Sequence, residues 1–123
     1  MQRRYLLRTG SREIIPLPKK LVDVASGLRC FRELDPEFPI QYATSFLIIA
    51  QSEGISQVEV AHLIGLSRSG VQRAFARLSA KGSNGKAGYG LIDVRVDVWD
   101  MRCRRAYLSA KGHQFAKEFT RVR

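Results

Sequence analysis

Residues 56–78 read SQVEVAHLIGLSRSGVQRAFARL, and this stretch decides the fold. Ser56 followed by Glu59 has the spacing of a capping box, in which the serine oxygen accepts from the backbone three residues on and the glutamate reaches back. A short helix is therefore expected over 56–65, closed by Gly65, which turns left-handed without a steric penalty. Ser67 then caps a second helix running to about residue 80, with Val71, Ala74, Phe75 and Leu78 facing inward. Ala61, Gly65 and Val71, surrounded by Val60, Ile64, Leu66 and Phe75, supply the small residue, the turn and the apolar lock that two helices crossing at a tight corner require. The pattern is that of a helix-turn-helix.

The outward side of the second helix carries Ser67, Arg68, Ser69, Gln72, Arg73 and Arg77, and from 67 to 78 there is no Asp or Glu. Arginine donates in a fork to guanine and glutamine pairs with adenine in the major groove, so an acid-free face of these residues reads as a surface for double-stranded DNA. Beyond it, residues 82–90, GSNGKAGYG, contain four glycines and read as a flexible loop. Residues 91–98 alternate Ile92, Val94, Val96 and Val98 with Asp93, Arg95 and Asp97, which is the period of a strand with one buried face. Residues 99–103 make the turn and 104–108 the return strand. A hairpin placed here is a wing, and Arg102, Arg104 and Arg105 near its tip suit the negative potential of an adjacent minor groove. Asp100 is expected to orient Arg102 by an ion pair.

Upstream, Pro16 and Pro18 forbid a helix over 1–18, which reads as an extended basic arm carrying Arg3, Arg4, Arg8 and Arg12. Leu21, Val24, Leu28 and Phe31 recur at helical spacing over 19–34 until Asp35-Pro36 interrupts them. A second helix over about 40–52 is apolar nearly all round and is expected at the centre of the core. Ser109 caps a last helix whose stripe is Phe115, Phe119 and Val122. The fold class is thus mainly α with a small β-hairpin wing, a winged helix-turn-helix over 19–123 preceded by the arm.

The rest of the composition agrees. With 123 residues, one domain is expected, and the net charge of +10 favours a polyanionic partner. Residues 101–123 alone hold seven basic side chains against one acidic. The longest apolar run, 46–50, is far shorter than the roughly 20 residues of a membrane span, and the basic start lacks the apolar block of a secretory signal, so a cytoplasmic protein without membrane contact is expected. Cys30 and Cys103 sit apart from each other and from His62 and His113, so zinc is not expected and the thiols read as idle. No catalytic set emerges. Residues 85–87 do not spell a phosphate loop, and Asp93 with Asp97 are solvated acids of an amphipathic strand rather than a metal pair. Neither a cofactor nor an enzymatic activity is expected.

Residues 56–77 resemble the helix-turn-helix of MarR-type winged-helix proteins. Asp100-Met101-Arg102 is similar to that family's wing-tip Asp-x-Arg, and Leu108-Ser109-Ala110-Lys111-Gly112 to its Leu-Thr-x-Lys-Gly entry to the next helix. The chain departs from the family by inserting residues 82–90 before the wing and by carrying Gly70 where Thr or Ala is usual. The resemblance implies a homodimer on a pseudo-palindromic duplex, usually a repressor and often released by a small aromatic ligand or by oxidation. Helix 1 and the Phe115, Phe119 stripe are the expected dimer surfaces, unless they are spent on the monomer core. Tyr42 and Phe46 are aromatic candidates for an effector pocket, although residues at such spacing are more often core, and a DNA binder controlled by its own concentration is the favoured reading. Two alternatives remain open: a phage or plasmid replication or partition protein, and a winged helix used for protein contacts.

Overall fold

Local chain chemistry places most element boundaries in the computed structural model, which describes residues 6–8, 14–16, 18–83 and 85–120. Strands β1 (Leu6–Arg8) and β2 (Ile14–Pro16) are followed by helices α1 (Lys19–Leu34) and α2 (Ile40–Gln51). Next come β3 (Ile55–Ser56), α3 (Gln57–Ile64), α4 (Arg68–Leu78), the hairpin β4 (Ile92–Val96) and β5 (Arg104–Leu108), and α5 (Ala110–Thr120). The two halves of the capping box form as expected: the Glu59 N–H donates to Ser56 Oγ at 3.1 Å, and the Ser56 N–H donates to Glu59 Oε1 at 2.9 Å. Gly65 closes α3 at φ +86°, and Ser67 caps α4 by accepting from the Gly70 N–H at 3.0 Å. A Cβ at Gly70 would come within 3.1 Å of that same Ser67 oxygen, so the glycine leaves room for the cap.

Helix α2 is the central element: Phe46 and Ile49 are fully buried, with Phe75 and Leu78 of α4, Leu91, Ile92 of β4 and Ala106 of β5 packed in the same core. Phe31 of α1 joins it through Phe115 of α5, their ring centres 5.1 Å apart, while Phe46 meets Phe115 edge-on at 5.4 Å. Gly27 matters here, since a Cβ would lie 2.9 Å from the Phe119 ring that packs across α1. No described helix is long and apolar enough to cross a membrane.

Several sequence expectations are corrected by long-range packing. Helix α4 ends at Leu78 rather than near 80, with Ser79 extended. The sheet has a third strand, in the order β3-β5-β4, because Ile55 and Ser56 pair antiparallel with Ala106 and Arg105; two residues are too few to show a strand period. The alternating face of the hairpin is buried only at its base: Ile92 is covered, whereas Val96 and Val98 are exposed. The α1 stripe divides, Phe31 entering the core and Leu21, Val24 and Leu28 remaining outside. Phe115 and Phe119 serve the chain's own core through Phe31, and Val122 lies outside the described residues. In the expected arm, the backbones of β1 and β2 pair with each other antiparallel, while Arg3, Arg4 and Arg12 lie outside the described residues.

The glycine-rich stretch departs furthest from expectation. It is zipped back onto the end of α4: the Tyr89 N–H donates to the Arg77 carbonyl at 2.8 Å, Gly90 to Ser79 at 3.1 Å and Leu91 to Leu78 at 2.7 Å. Its glycines permit backbone-on-backbone packing, since a Cβ at Gly88 would fall 1.7 Å from the Ser79 oxygen.

Candidate nucleic-acid interface

Helix α4 turns Gly70, Val71, Ala74, Phe75 and Leu78 into the core, which leaves Arg68, Ser69, Gln72 and Arg73 exposed on the opposite side. Residues 68 and 72, and 69 and 73, are one turn apart and so stack along one face. Ser67 is also exposed, but its oxygen is engaged in the cap and lies 3.3 Å from Ser69 Oγ. Arg68 lines a groove together with Asp100, Arg102 and Arg104 of the wing and with Ser56 and Gln57 at the start of α3. The tertiary structure thus brings the first turn of α4 and the wing arginines to one surface.

Arg77 is set apart from this face. Its guanidinium carbon lies 4.8 Å from the Tyr89 ring centre, and its Nε is buried without a hydrogen-bond partner among the described residues. The Tyr89 hydroxyl donates to Asp35 Oδ2 at 2.5 Å, and this bond, with the Glu37 N–H, holds the Asp35 carboxyl below its usual range. Arg77, Tyr89 and Asp35 therefore tie the end of α4, the glycine-rich stretch and the α1–α2 corner together. Tyr42 lines the same concavity as Arg77 and Tyr89, whereas Phe46 is sealed in the core and is not available to a pocket.

The three arginines expected near the wing tip divide likewise. Arg102 is almost fully exposed, with its Nε 3.4 Å from Asp100 Oδ1, the expected pairing. Arg104 is exposed and donates to the Met101 carbonyl at 2.8 Å. Arg105 instead ties the turn end of the hairpin to β3 and α3: Nε donates to Asp97 Oδ2 at 2.8 Å, Nη1 donates to the Gly54 carbonyl at 2.8 Å, and Glu59 Oε1 lies 3.9 Å away. Sequence reasoning missed Asp97 as a structural acid, although Asp97 two places before Trp99 is a signal for a side-chain turn, and the Trp99 N–H does donate to Asp97 Oδ1 at 2.8 Å. The Gly54 contact carried no such signal, being 51 residues distant in the chain.

The Trp99 N–H and then the Arg105 guanidinium hold the Asp97 carboxyl below its ordinary value. A lowered value in the folded chain means that the contribution is whole at neutral pH and fades only as the pH falls through and below the unfolded value of about 3.9. The Asp97 N–H, which donates to the Cys103 carbonyl at 3.0 Å, is accordingly expected to stay protected from hydrogen exchange at neutral pH and to lose protection in acid. Asp97→Asn should expose it already at neutral pH, and unchanged protection in that variant would show that the carboxylate does not brace the turn. Burial, with Glu33 and Glu118 nearby, pushes the Cys30 thiol up, the wrong direction for a reactive thiolate. No group of three or more metal-ligating side chains gathers among the described residues.

No protein-family model matches the chain, and no curated protein matches it by sequence. Solved structures do match. The transcriptional regulator Tm0710 from Thermotoga maritima superimposes with a TM-score of 0.67 at 18% identity, over 85% of this chain and 66% of its own. A MarR transcriptional regulator from Methanosarcina mazei Go1 gives 0.56 at 16% identity, over 84% and 69%. The chain has the MarR-type winged-helix fold. The transcriptional repressor CouR, solved bound to a 23-mer DNA duplex, gives 0.60 at 19% identity, over 85% and 66%. The chain therefore spans just under two thirds of the length of Tm0710 and CouR.

The MarR-like sequence segments have physical reasons in this fold. Asp100-Met101-Arg102 forms the wing turn, where the Arg102 N–H donates to Asp100 Oδ1 at 3.1 Å. Ser109 accepts from the Gly112 N–H at 2.9 Å, capping α5, and donates to the Gly90 carbonyl at 2.6 Å. Lys111 Nζ donates to the Tyr89 carbonyl at 2.8 Å, and Gly112 is required because a Cβ would fall 1.9 Å from the Leu91 oxygen.

Proposed function

We propose that this protein is a sequence-specific regulator that binds double-stranded DNA, a repressor of transcription, with α4 in the major groove and the wing beside the adjacent minor groove. The observation that carries this reading is the groove that Arg68 of α4 shares with Arg102 and Arg104 of the wing. Ser67, Arg68, Ser69, Gln72 and Arg73 face the bases and phosphates, Arg102 and Arg104 meet the backbone and minor groove, and Arg77 and Arg105 act from behind by holding α4 and the wing in place. CouR, of the same fold, was solved on duplex DNA, which supports the reading. Binding to a labelled duplex is expected to weaken steeply with salt, since each neutralised phosphate releases counterions. Absence of duplex binding at low salt would refute it.

The reading includes a homodimer on a pseudo-palindromic site, because one helix-turn-helix spans too few base pairs for useful selectivity. Of the two expected dimer surfaces, Phe115 and Phe119 are used internally, whereas Leu21, Val24 and Leu28 of α1 stay exposed, which supports α1 as the surface for a second copy. Val24→Asp places a charge in that stripe and is expected to halve the mass seen by light scattering at micromolar protein. A parent protein that is already monomeric, alone and on DNA, would overturn the dimer.

A further inference from the structure

The end of the wing presents apolar side chains that the fold leaves uncovered. Trp99 is 94% exposed and Val98 84%, with Met101 at 76% beside them, all within residues 98–101. A loose tip would let the indole fold back against the sheet, but this turn is braced. The Trp99 N–H is held by Asp97, the Cys103 N–H donates to the Asp100 carbonyl at 2.8 Å, and Arg104 holds the Met101 carbonyl. These bonds hold the turn's backbone, and from it the indole of Trp99 stands in water, which is unfavourable unless a partner covers it.

The surroundings identify that partner. Arg102, its side chain 94% exposed, and Arg104 flank the apolar point, while Asp97 is engaged by Arg105 and Asp100 by Arg102. An apolar point in a cationic collar matches the minor groove, where wedges of this type enter a base step while arginines meet the phosphates. The groove that joins Asp100, Arg102 and Arg104 to Arg68 brings the turn beside the reading face of α4, while Val98 and Trp99 line a separate concavity with Arg95 and Arg105, so cations stand on both sides of the apolar point.

We propose that Trp99 is an apolar wedge that enters the minor groove of the bound duplex, stacks at a flexible pyrimidine–purine step and bends the DNA, with Val98 and Met101 covering its flanks. The proposal rests on the DNA-binding reading above. It adds a source of selectivity that needs no hydrogen bond to a base, because such steps unstack more readily than others.

Trp99 is the only tryptophan in the chain, so its emission reports the wing tip alone. The test uses duplexes that the protein selects from a random pool, with binding followed by anisotropy of an end label and bending by energy transfer between the two ends. On binding, Trp99 emission should be quenched and its access to acrylamide should fall several-fold. Trp99→Ala should bind roughly tenfold more weakly and bend the duplex less, as expected for loss of one stacked base contact, while Trp99→Phe retains most of both. Binding by anisotropy with Trp99 as open to acrylamide as in the free protein, and with the alanine variant bending DNA like the parent, would overturn the wedge and leave the DNA-binding reading intact. Absence of any anisotropy change at low salt would overturn both.

Discussion

Gly88→Ala is expected to lower the stability of the folded chain by roughly 3 kcal/mol, the scale of a strongly overpacked site. The added methyl would lie 1.7 Å from the Ser79 oxygen, 2.7 Å from its carbonyl carbon and 2.9 Å from the Gly82 nitrogen. All three are backbone atoms, so no side chain can rotate away and the zipped segment after α4 must open. Gly85→Ala supplies the comparison: no atom approaches its Cβ within 4 Å, and the only penalty is the left-handed backbone at φ +75°, about 1 kcal/mol. Urea unfolding of the two variants measures the difference as a shift of midpoint at constant slope. Equal midpoints would show that residues 82–90 are not held against α4. Loss of this segment also removes Tyr89 from Arg77, so the Gly88 variant should fray the end of α4 in hydrogen exchange before its first turn.

The second large effect is on recognition. Arg73→Ala is expected to weaken binding to a selected duplex by roughly 1–3 kcal/mol and to relax preference at one base position. Its side chain is exposed on α4 and plays no part in the core, so the variant should fold like the parent. Arg104→Ala should weaken binding to all sequences alike and lower the salt slope by about one phosphate contact. Arg105→Ala tests the division of labour within the wing: its guanidinium is spent on Asp97 and Gly54, so loss of DNA binding should come with loss of protection in the hairpin. Selected-site sequencing of each variant checks these patterns. Equal losses on random and selected duplexes for Arg68, Gln72 and Arg73 alike would refute base reading by α4.

The contrast between Arg73 and Arg77 shows where sequence reading reaches its limit. Both lie on the outward ladder of α4 one turn apart, and periodicity cannot separate them. What separates them is Tyr89, twelve residues beyond Arg77, which the chain folds beneath the guanidinium. Arg104 and Arg105 differ in the same way, because Arg105 meets the carbonyl of Gly54, just before β3 and 51 residues away in the chain. Signals that act over three or four residues were legible: the Ser56–Glu59 box, Gly65, the Ser67 cap, the Asp100–Arg102 pair and the limits of α1 at 19 and 34.

The sequence by itself therefore determined the order of helices, the helix-turn-helix corner, the wing and the basic character of one face, since caps, left-handed glycines and apolar periods are local. The tertiary structure alone decided which arginines stay exposed and which are engaged within the fold, that β3 completes the sheet, and that the glycine-rich segment is packed rather than loose. It also decided that Phe115 and Phe119 serve the chain's own core while Leu21, Val24 and Leu28 do not. The reason is the same in each case: a helical or strand period fixes which side chains share a face, but only the close approach of distant segments fixes what covers that face.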